Sequence, residues 1–289
     1  MRLSSLLIVT FGIGALSYPA MKLPVGTPFF AERPGPQAEP VPRPTRPKTD
    51  FGLNEYSPDV AEVQRDKDYK IIVNIPATKL TLYEDSRPVL ELPIAVGQAI
   101  YKTPTGRNEI KEIIWNPWWY PPKSDWAKNE KITPPGPRNP LGPVKMELSE
   151  DIRMHGTTKD NSIGSAASHG CIRMHSPDAV TLAWYIQSHL SDKTDQALLE
   201  KYKKSGSSTF RVKLNRPVPV EIVYDPVAIN EGNIIIYPDL YGRVKDVKEL
   251  ASWKLYSHGI DPWIFDLSEV KKPTGKKAQE IKLDEIIDW

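Results

Sequence analysis

Residues 69–85 read YKIIVNIPATKLTLYED, and this stretch decides the fold class. Apolar and polar residues alternate on both sides of the turn signal PAT, which is the period-two pattern of half-buried strands. The runs VLELPIAVG (89–97) and NEIKEIIW (108–115) continue the pattern around a TPTG turn. The segment 144–156 reads as one further strand. We therefore predict a mainly β fold.

Helical patterns are few. The segment SPDAVTLAWYIQSHL favours a helix that begins with Ser176 as its cap and a proline in its first turn. A second helix is predicted over residues 247–255. The first helix should present one apolar stripe, formed by Val180, Ala183, Ile186 and Leu190.

The composition is that of a soluble globular protein. The chain has 289 residues, of which 39% are hydrophobic and 26% are charged, and its formal net charge is +2. A charge so balanced, without a dense lysine or arginine block, gives no reason to expect a nucleic-acid partner.

The first seventeen residues, MRLSSLLIVTFGIGALS, have a basic start, an uncharged apolar run and small residues before a cut after Ser17. This is the layout of a secretory signal peptide, and the alternative is an uncleaved anchor that would be the only link to a membrane. Residues 18–67 are proline-rich and are predicted to be an extended spacer. We assign 68–195 to the main domain and 196–289 to a β-rich extension with a charged tail.

The stretch SHGCIRMH, residues 168–175, holds the only cysteine of the chain, Cys171. An unpaired cysteine in an exported protein is a candidate reactive thiol. Two other roles are open, a zinc ligand and a buried inert side chain. The spacing between His169 and Cys171 is tighter than the two to four intervening residues that zinc sites favour. The polar flanks do not resemble a core strand, so a nucleophile is favoured and no metal or cofactor is expected.

A thiol attacks as its thiolate and needs a base to remove its proton. His155, His169 and His175 are the candidates nearby, although His175 stands at the helix entry and is expected to cap it. Gly170 allows a tight turn that leaves amide N–H groups beside the sulfur, where they could hold an oxyanion.

The motif SHGCIRM, preceded by HGT at residues 155–157, resembles the signature of the L,D-transpeptidase catalytic domain, the YkuD family. It is most similar to the subgroup of Gram-negative periplasmic enzymes. Further segments stand in the family's order over roughly residues 70–191: IAVG, TPTG, NP followed by Trp and PP, and NPLG. Family motifs often carry Asn where this chain has Arg173. The resemblance implies a mixed β-sandwich with one helix after the catalytic loop.

The resemblance also implies a reaction on the stem peptides of peptidoglycan in the periplasm. Cys171 would attack the carbonyl that links diaminopimelate to the terminal D-Ala, and D-Ala would leave. His155 matches the general base, oriented by the carbonyl of Gly156, and His169 matches a second histidine that lines the site. The acceptor amine would be a second diaminopimelate, a lysine of an outer-membrane lipoprotein or a free D-amino acid.

Four more residues are candidates for the substrate site. Ser168 is expected to steady the loop by hydrogen bonding, and Arg173 either binds a substrate carboxylate or forms a structural ion pair. Trp118 and Trp119, in the segment NPWWYPPKSDW, form either one wall of a groove or an aromatic lid over the core.

Two other functions remain open. With water as the acceptor, the same site would make an L,D-carboxypeptidase, and sequence does not separate this from transfer. From a different class, the domain could be a non-catalytic module that binds the cell wall, although the intact His155, His169 and Cys171 argue against it.

Overall fold

The structure is a computed structural model that describes residues 67–287. The predicted signal or anchor segment, 1–17, and almost all of the predicted spacer lie outside the described residues. Between residues 67 and 287, no helix has the length and apolar character to cross a membrane.

The described chain is mainly β, as predicted, and it contains three α-helices, one of which directly follows the 168–175 stretch. The helices are Ser176–Leu190 (α1), Gln196–Lys204 (α2) and Val247–Ser257 (α3). The strands are Tyr69–Asn74 (β1), Lys79–Glu84 (β2), Arg87–Gly97 (β3), Gly106–Trp115 (β4), Val144–Glu147 (β5), Arg153–His155 (β6), Ala166–Ser168 (β7), Ile172–Met174 (β8), Phe210–Val223 (β9), Val227–Asn230 (β10), Asn233–Ile236 (β11) and Gln279–Lys282 (β12).

One large sheet organises the fold. Its nine strands run in the order β2-β1-β9-β4-β5-β6-β8-β3-β7, and β2 pairs in addition with β3. The first part of β3 pairs with β2, and its last residues pair with β7 and β8, so β3 joins the two ends of the sheet. The sheet thereby closes around a core of fully buried side chains, among them Ile71, Leu82, Ile113, Met154 and Ile172.

α1 packs on this core through Ala179, Leu182, Ala183, Ile186 and Leu190. The predicted stripe is therefore mostly right, but Val180 is only half-buried. Two residues were expected to cap this helix, and Ser176 does not: its hydroxyl donates to the Thr157 carbonyl at 2.9 Å. His175 occupies the N-cap position but makes no side-chain cap bond. The bond from Ser176 to Thr157 ties the start of α1 to the HGT segment.

Two segments differ from their predicted structure. The single strand expected over 144–156 is two strands, β5 and β6, which pair antiparallel with Lys145 opposite His155. The α2 helix was not predicted. The long β9, within the extension expected over 196–289, lies between β1 and β4, so the large sheet continues past residue 195.

The end of the described chain has a core of its own. Strands β10, β11 and β12 form a three-stranded sheet, and α3 covers it with Val247, Ala251 and Leu255 buried. The later part of the expected extension, from residue 227 on, thus forms a small α/β unit, and the helix predicted over 247–255 is confirmed as α3.

A contact between two glycines places the loop before β5 against the end of β6. Gly142 has φ +63°, and a Cβ built on it would lie 3.0 Å from Gly156 Cα and 2.8 Å from Ser176 Oγ. The loop can approach the His155-Gly156 backbone so closely only because both residues lack a side chain.

We predict that Gly142→Ala lowers the free energy of unfolding by about 3 kcal/mol, from left-handed backbone strain plus the steric contact. Gly164 is the matched control, because it has φ +79° but nothing within 4 Å of a built Cβ. Gly164→Ala should lower the free energy of unfolding by only about 1 kcal/mol. Urea unfolding of both variants measures the difference, and equal losses would contradict the proposed contact.

Candidate active site

Strands β6 and β8 bring the two ends of the sequence motif together. They pair in parallel, with Met154 opposite Ile172 and His155 opposite Arg173. Because side chains alternate along a strand, Cys171, two residues before Arg173, lies on the same side as Arg173 and His155. Met154 and Ile172 point to the opposite side and are fully buried in the core.

The thiol of Cys171 is half-buried, and its Sγ lies 3.7 Å from the carbonyl oxygen of Asp151. Burial lowers the pKa of the Arg173 guanidinium, and the nearby Cys171 opposes this effect. The two groups therefore interact electrostatically. Within residues 67–287, no carboxylate lies within 4.0 Å of Arg173, and its Nη1 donates only to the Ala167 carbonyl at 3.3 Å. The structural ion pair considered from sequence is not formed by the described residues.

His155 is buried, with 5% of its surface exposed. Its Nδ1 lies 2.5 Å from the carbonyl oxygen of Gly156. A carbonyl oxygen only accepts, so Nδ1 carries the proton, and in the neutral ring Nε2 is left as the proton acceptor. Burial lowers the pKa of His155 to about 4, opposed by the bond to Gly156 and reinforced by the charge of Arg173. At neutral pH the ring is uncharged and oriented.

The loop before Cys171 is closed by one serine. The fully buried Ser168 donates its hydroxyl to the Cys171 carbonyl and accepts the N–H of Gly170 at 3.1 Å. Gly170 has φ +108°, a conformation that side chains strongly disfavour. The Ser168 side chain is thus occupied within the loop, as its expected steadying role requires.

His169 lies in a different environment from His155. Its ring stacks on Trp126 with centroids 4.0 Å apart and planes 7° apart, and it contacts Tyr101 at 4.8 Å. Burial lowers the pKa of His169, and the charges of Arg173 and Lys159 lower it further. The ring therefore forms part of an aromatic cluster, which we call the lid cluster, of Tyr101, Trp126 and His169.

A cavity of about 810 Å³ opens beside the lid cluster. Tyr101 and Trp126 line it together with Pro121, Pro122, Asp125 and Ile132. The predicted groove residues Trp118 and Trp119 do not line this cavity. Trp118 is exposed and stacks on Tyr120, and the backbone of Trp119 pairs with Thr133.

Sequence reasoning thus missed Tyr101 and Trp126. Trp126 had a signal, because it is the third tryptophan of the NPWWYPPKSDW segment that was singled out. Tyr101 had none, since it contacts His169 across sixty-eight positions of the chain.

The structure also shows where the remaining histidine of the motif lies and whether side chains are grouped as a zinc site would require. His175 lies at the N-cap of α1, makes no side-chain cap bond and has its Nδ1 3.2 Å from Asp160. Within the part of the chain that the structure describes, no three His, Cys, Asp or Glu side chains are grouped so as to hold a metal ion.

Comparison with protein families matches residues 68–229, more than half of the chain, to YkuD, the L,D-transpeptidase catalytic domain. A Bacillus licheniformis protein that bears the L,D-transpeptidase name YkuD is 36% identical over 116 residues, which are 40% of this chain and 58% of that protein. Salmonella typhimurium has a relative that bears the L,D-transpeptidase name ErfK/SrfK, 33% identical over 119 residues, 37% of this chain and 38% of that protein. The match therefore spans less than two thirds of these relatives.

Among solved structures, an L,D-transpeptidase from Mycobacterium smegmatis aligns with a TM-score of 0.36 and 16% identity. The alignment covers 54% of this chain and 59% of that one. The family assignment rests on the sequence match.

The lowered pKa of His155 predicts a pH dependence of stability. The unfolded ring has a pKa near 6.5, whereas the folded ring has a pKa of about 4 and stays unprotonated above it. Stability is therefore lost as the pH falls from about 6.5 towards 4. Lowering the pH from 7.5 to 5.0 should therefore reduce the free energy of unfolding by about 2 kcal/mol through this group.

Urea unfolding of the wild type and of His155→Gln at both pH values isolates this contribution, because all other titrating groups are shared. The wild type should lose about 2 kcal/mol more than the variant over this range. Equal losses would mean that the folded ring titrates normally.

Proposed function

Because this chain belongs to the YkuD family of L,D-transpeptidase catalytic domains, we propose that it is a cysteine transpeptidase that acts on the stem peptides of peptidoglycan. The supporting observation is the pair on one side of the sheet: a neutral, oriented His155 on β6 and the half-buried Cys171 just before β8. Such a base and nucleophile pair is what acyl transfer through a covalent intermediate requires.

In the first half of the reaction, Nε2 of His155 accepts the thiol proton, and Sγ of Cys171 attacks the carbonyl between diaminopimelate and D-Ala. The C–N bond breaks, and the imidazolium returns the proton to the leaving amine of D-Ala. The product is a thioester. The tetrahedral oxyanion is held by the backbone N–H of Cys171, because the N–H of Gly170 already donates to Ser168.

In the second half, an amine attacks the thioester carbonyl, the C–S bond breaks and the thiol is restored. The acceptor is a second diaminopimelate, a lipoprotein lysine or a D-amino acid. Access to the thioester decides between an amine and water. The lid cluster, with Trp126 stacked on His169, covers one side of the loop and supports transfer to an amine over hydrolysis.

Arg173 is proposed to bind the carboxylate of the terminal D-Ala. It lies on the same side as Cys171, it is partly desolvated, and the described residues offer it no carboxylate. A guanidinium in this setting lowers its energy by binding an anion.

The proposal also covers location and partners. Export by the segment 1–17 would deliver the enzyme to the periplasm, where its partners would be peptidoglycan stems and, as an acceptor, an outer-membrane lipoprotein.

The first test is incubation with purified tetrapeptide muropeptides and analysis by mass spectrometry. The wild type should release D-Ala, form 3→3 dimers and carry an acyl adduct on Cys171. Cys171→Ala should form neither adduct nor product, and His155→Gln should lower kcat/KM about 10²–10⁴-fold.

His175→Ala is the matched control, because His175 faces Asp160 rather than Cys171, and it should retain wild-type activity. Tripeptides without dimers would assign the hydrolase instead. Muropeptide binding without any adduct at Cys171 would assign the non-catalytic module.

A second test addresses Arg173. The wild type should prefer a tetrapeptide with a free terminal carboxylate over its C-terminal amide, and Arg173→Gln should lose most of this preference. The expected drop in kcat/KM for the free acid is about 30-fold or more. Arg173→Gln that still discriminates between the two peptides would sink this assignment.

A further inference from the structure

Behind the catalytic loop, the carbonyl of Gly170 is held by Thr103. The fully buried Thr103 Oγ1 lies 2.8 Å from the Gly170 carbonyl oxygen and 2.8 Å from the Gly97 nitrogen. A carbonyl only accepts and an amide only donates, so the single hydroxyl proton goes to Gly170. Thr103 therefore has one possible hydrogen-bonding arrangement here.

Thr103 is held in turn by the hydroxyl of Tyr241. The phenol oxygen lies 2.9 Å from the Gly97 carbonyl oxygen and 3.0 Å from the Thr103 nitrogen. By the same reasoning, Tyr241 donates to Gly97 and accepts the N–H of Thr103. One hydroxyl thus closes both ends of the turn 97–103, which is so tight that a Cβ on Gly97 would lie 2.0 Å from the Tyr101 carbonyl.

Tyr241 is itself fixed in place. It is 7% exposed, its ring stacks on Tyr224 with centroids 5.5 Å apart, and its N–H donates to the Tyr224 hydroxyl at 2.8 Å. That hydroxyl donates to Asp239 at 2.6 Å, and Asp239 also accepts the N–H of Val244 at 2.9 Å. A rigid anchor therefore stands at the start of this chain of hydrogen bonds.

We propose that Tyr241 is a positioning residue for the nucleophile, acting through Thr103 on the Gly170–Cys171 peptide. Tyr241 lies outside the family match, which ends at residue 229, and the inference rests on the proposed role of Cys171. In a trans peptide the C=O and N–H point in opposite directions, so holding the Gly170 carbonyl also sets the direction of the Cys171 N–H. An oxyanion donor is effective only when its direction is fixed beforehand.

Two reactions of the same thiol separate positioning from structure. With p-nitrophenyl acetate, Sγ of Cys171 gives up its proton and attacks the acetyl carbonyl, the ester C–O bond breaks and p-nitrophenolate leaves, so an oxyanion forms on the way. With iodoacetamide, Sγ displaces iodide from a saturated carbon, and no oxyanion forms. Neither reagent requires the muropeptide substrate.

Tyr241→Phe retains the ring and removes the hydroxyl. We expect its acylation by p-nitrophenyl acetate to slow about tenfold or more. Its alkylation rate across pH should stay within about twofold of the wild type, because the thiol and its base are unchanged. Tyr185→Phe is the matched control, since the Tyr185 hydroxyl bonds to Glu84 on β2, outside this network, and it should react like the wild type in both assays.

A second pair of variants tests the relay and is decisive even if Tyr241→Phe fails to fold. Thr103→Val should show the same selective loss of acylation, and Thr103→Ser, which keeps the hydroxyl, should recover at least a third of the wild-type acylation rate. Equal slowing of both reactions in Tyr241→Phe and Thr103→Val, or no slowing of acylation, would overturn the proposal.

These assays also separate failure of the positioning role from failure of the proposed function. Suppose that only the proposed function fails. In that case the wild type would react with p-nitrophenyl acetate, and the variants would differ as expected, yet no D-Ala would be released from tetrapeptide muropeptides. The positioning role would then stand for a different acyl substrate.

Discussion

The site depends on the parallel pairing of β6 with β8. Each strand has three residues, and only two residue pairs join them. Their register is enforced by the core, because a slip of one residue would turn Met154 or Ile172 outward and drive the opposite side inward. Since Met154 and Ile172 are fully buried, the hydrophobic effect holds His155 opposite Arg173, next to the loop that carries Cys171.

The electrostatics of the site follow from the same register. Burial is the main reason that the His155 imidazole stays neutral, and the directly opposed guanidinium of Arg173 further disfavours a second positive charge. The neutral His155 and an Arg173 without a carboxylate partner among residues 67–287 thus both follow from the placement of these two side chains.

Much of this architecture could be predicted from local pattern. The alternation over residues 69–115 and the start of α1 can be read directly from the sequence. The single cysteine, Cys171, with polar residues and a glycine before it, indicates the loop. The break between β5 and β6 could not be found, because the intervening residues 148–152 contain neither glycine nor proline. α2 was not predicted because its only well-buried side chains, Leu199 and Tyr202, are too few to form a clear apolar stripe among the charged residues of this segment.

The contacts that complete the site are of another kind, because they join segments far apart in sequence. Nothing near Trp126 indicates that it will stack on His169, and the 97–103 turn gives no sign of the tyrosine that closes it. Such contacts depend on how the sheet closes on itself, which period-two alternation does not specify.

Tyr241 has a consequence for the modularity of the protein. Its side chain belongs to the main core, whereas Val244 and Val247, a few residues later, belong to the core under α3. The chain enters the second core at Val227, inside the family match, and returns to the main core at Tyr241, beyond the end of that match at residue 229. The main core is therefore completed by a residue outside the recognisable domain. Exchange of this domain between proteins by recombination would have to carry the 224–244 segment with it, or replace its buried hydroxyl from elsewhere.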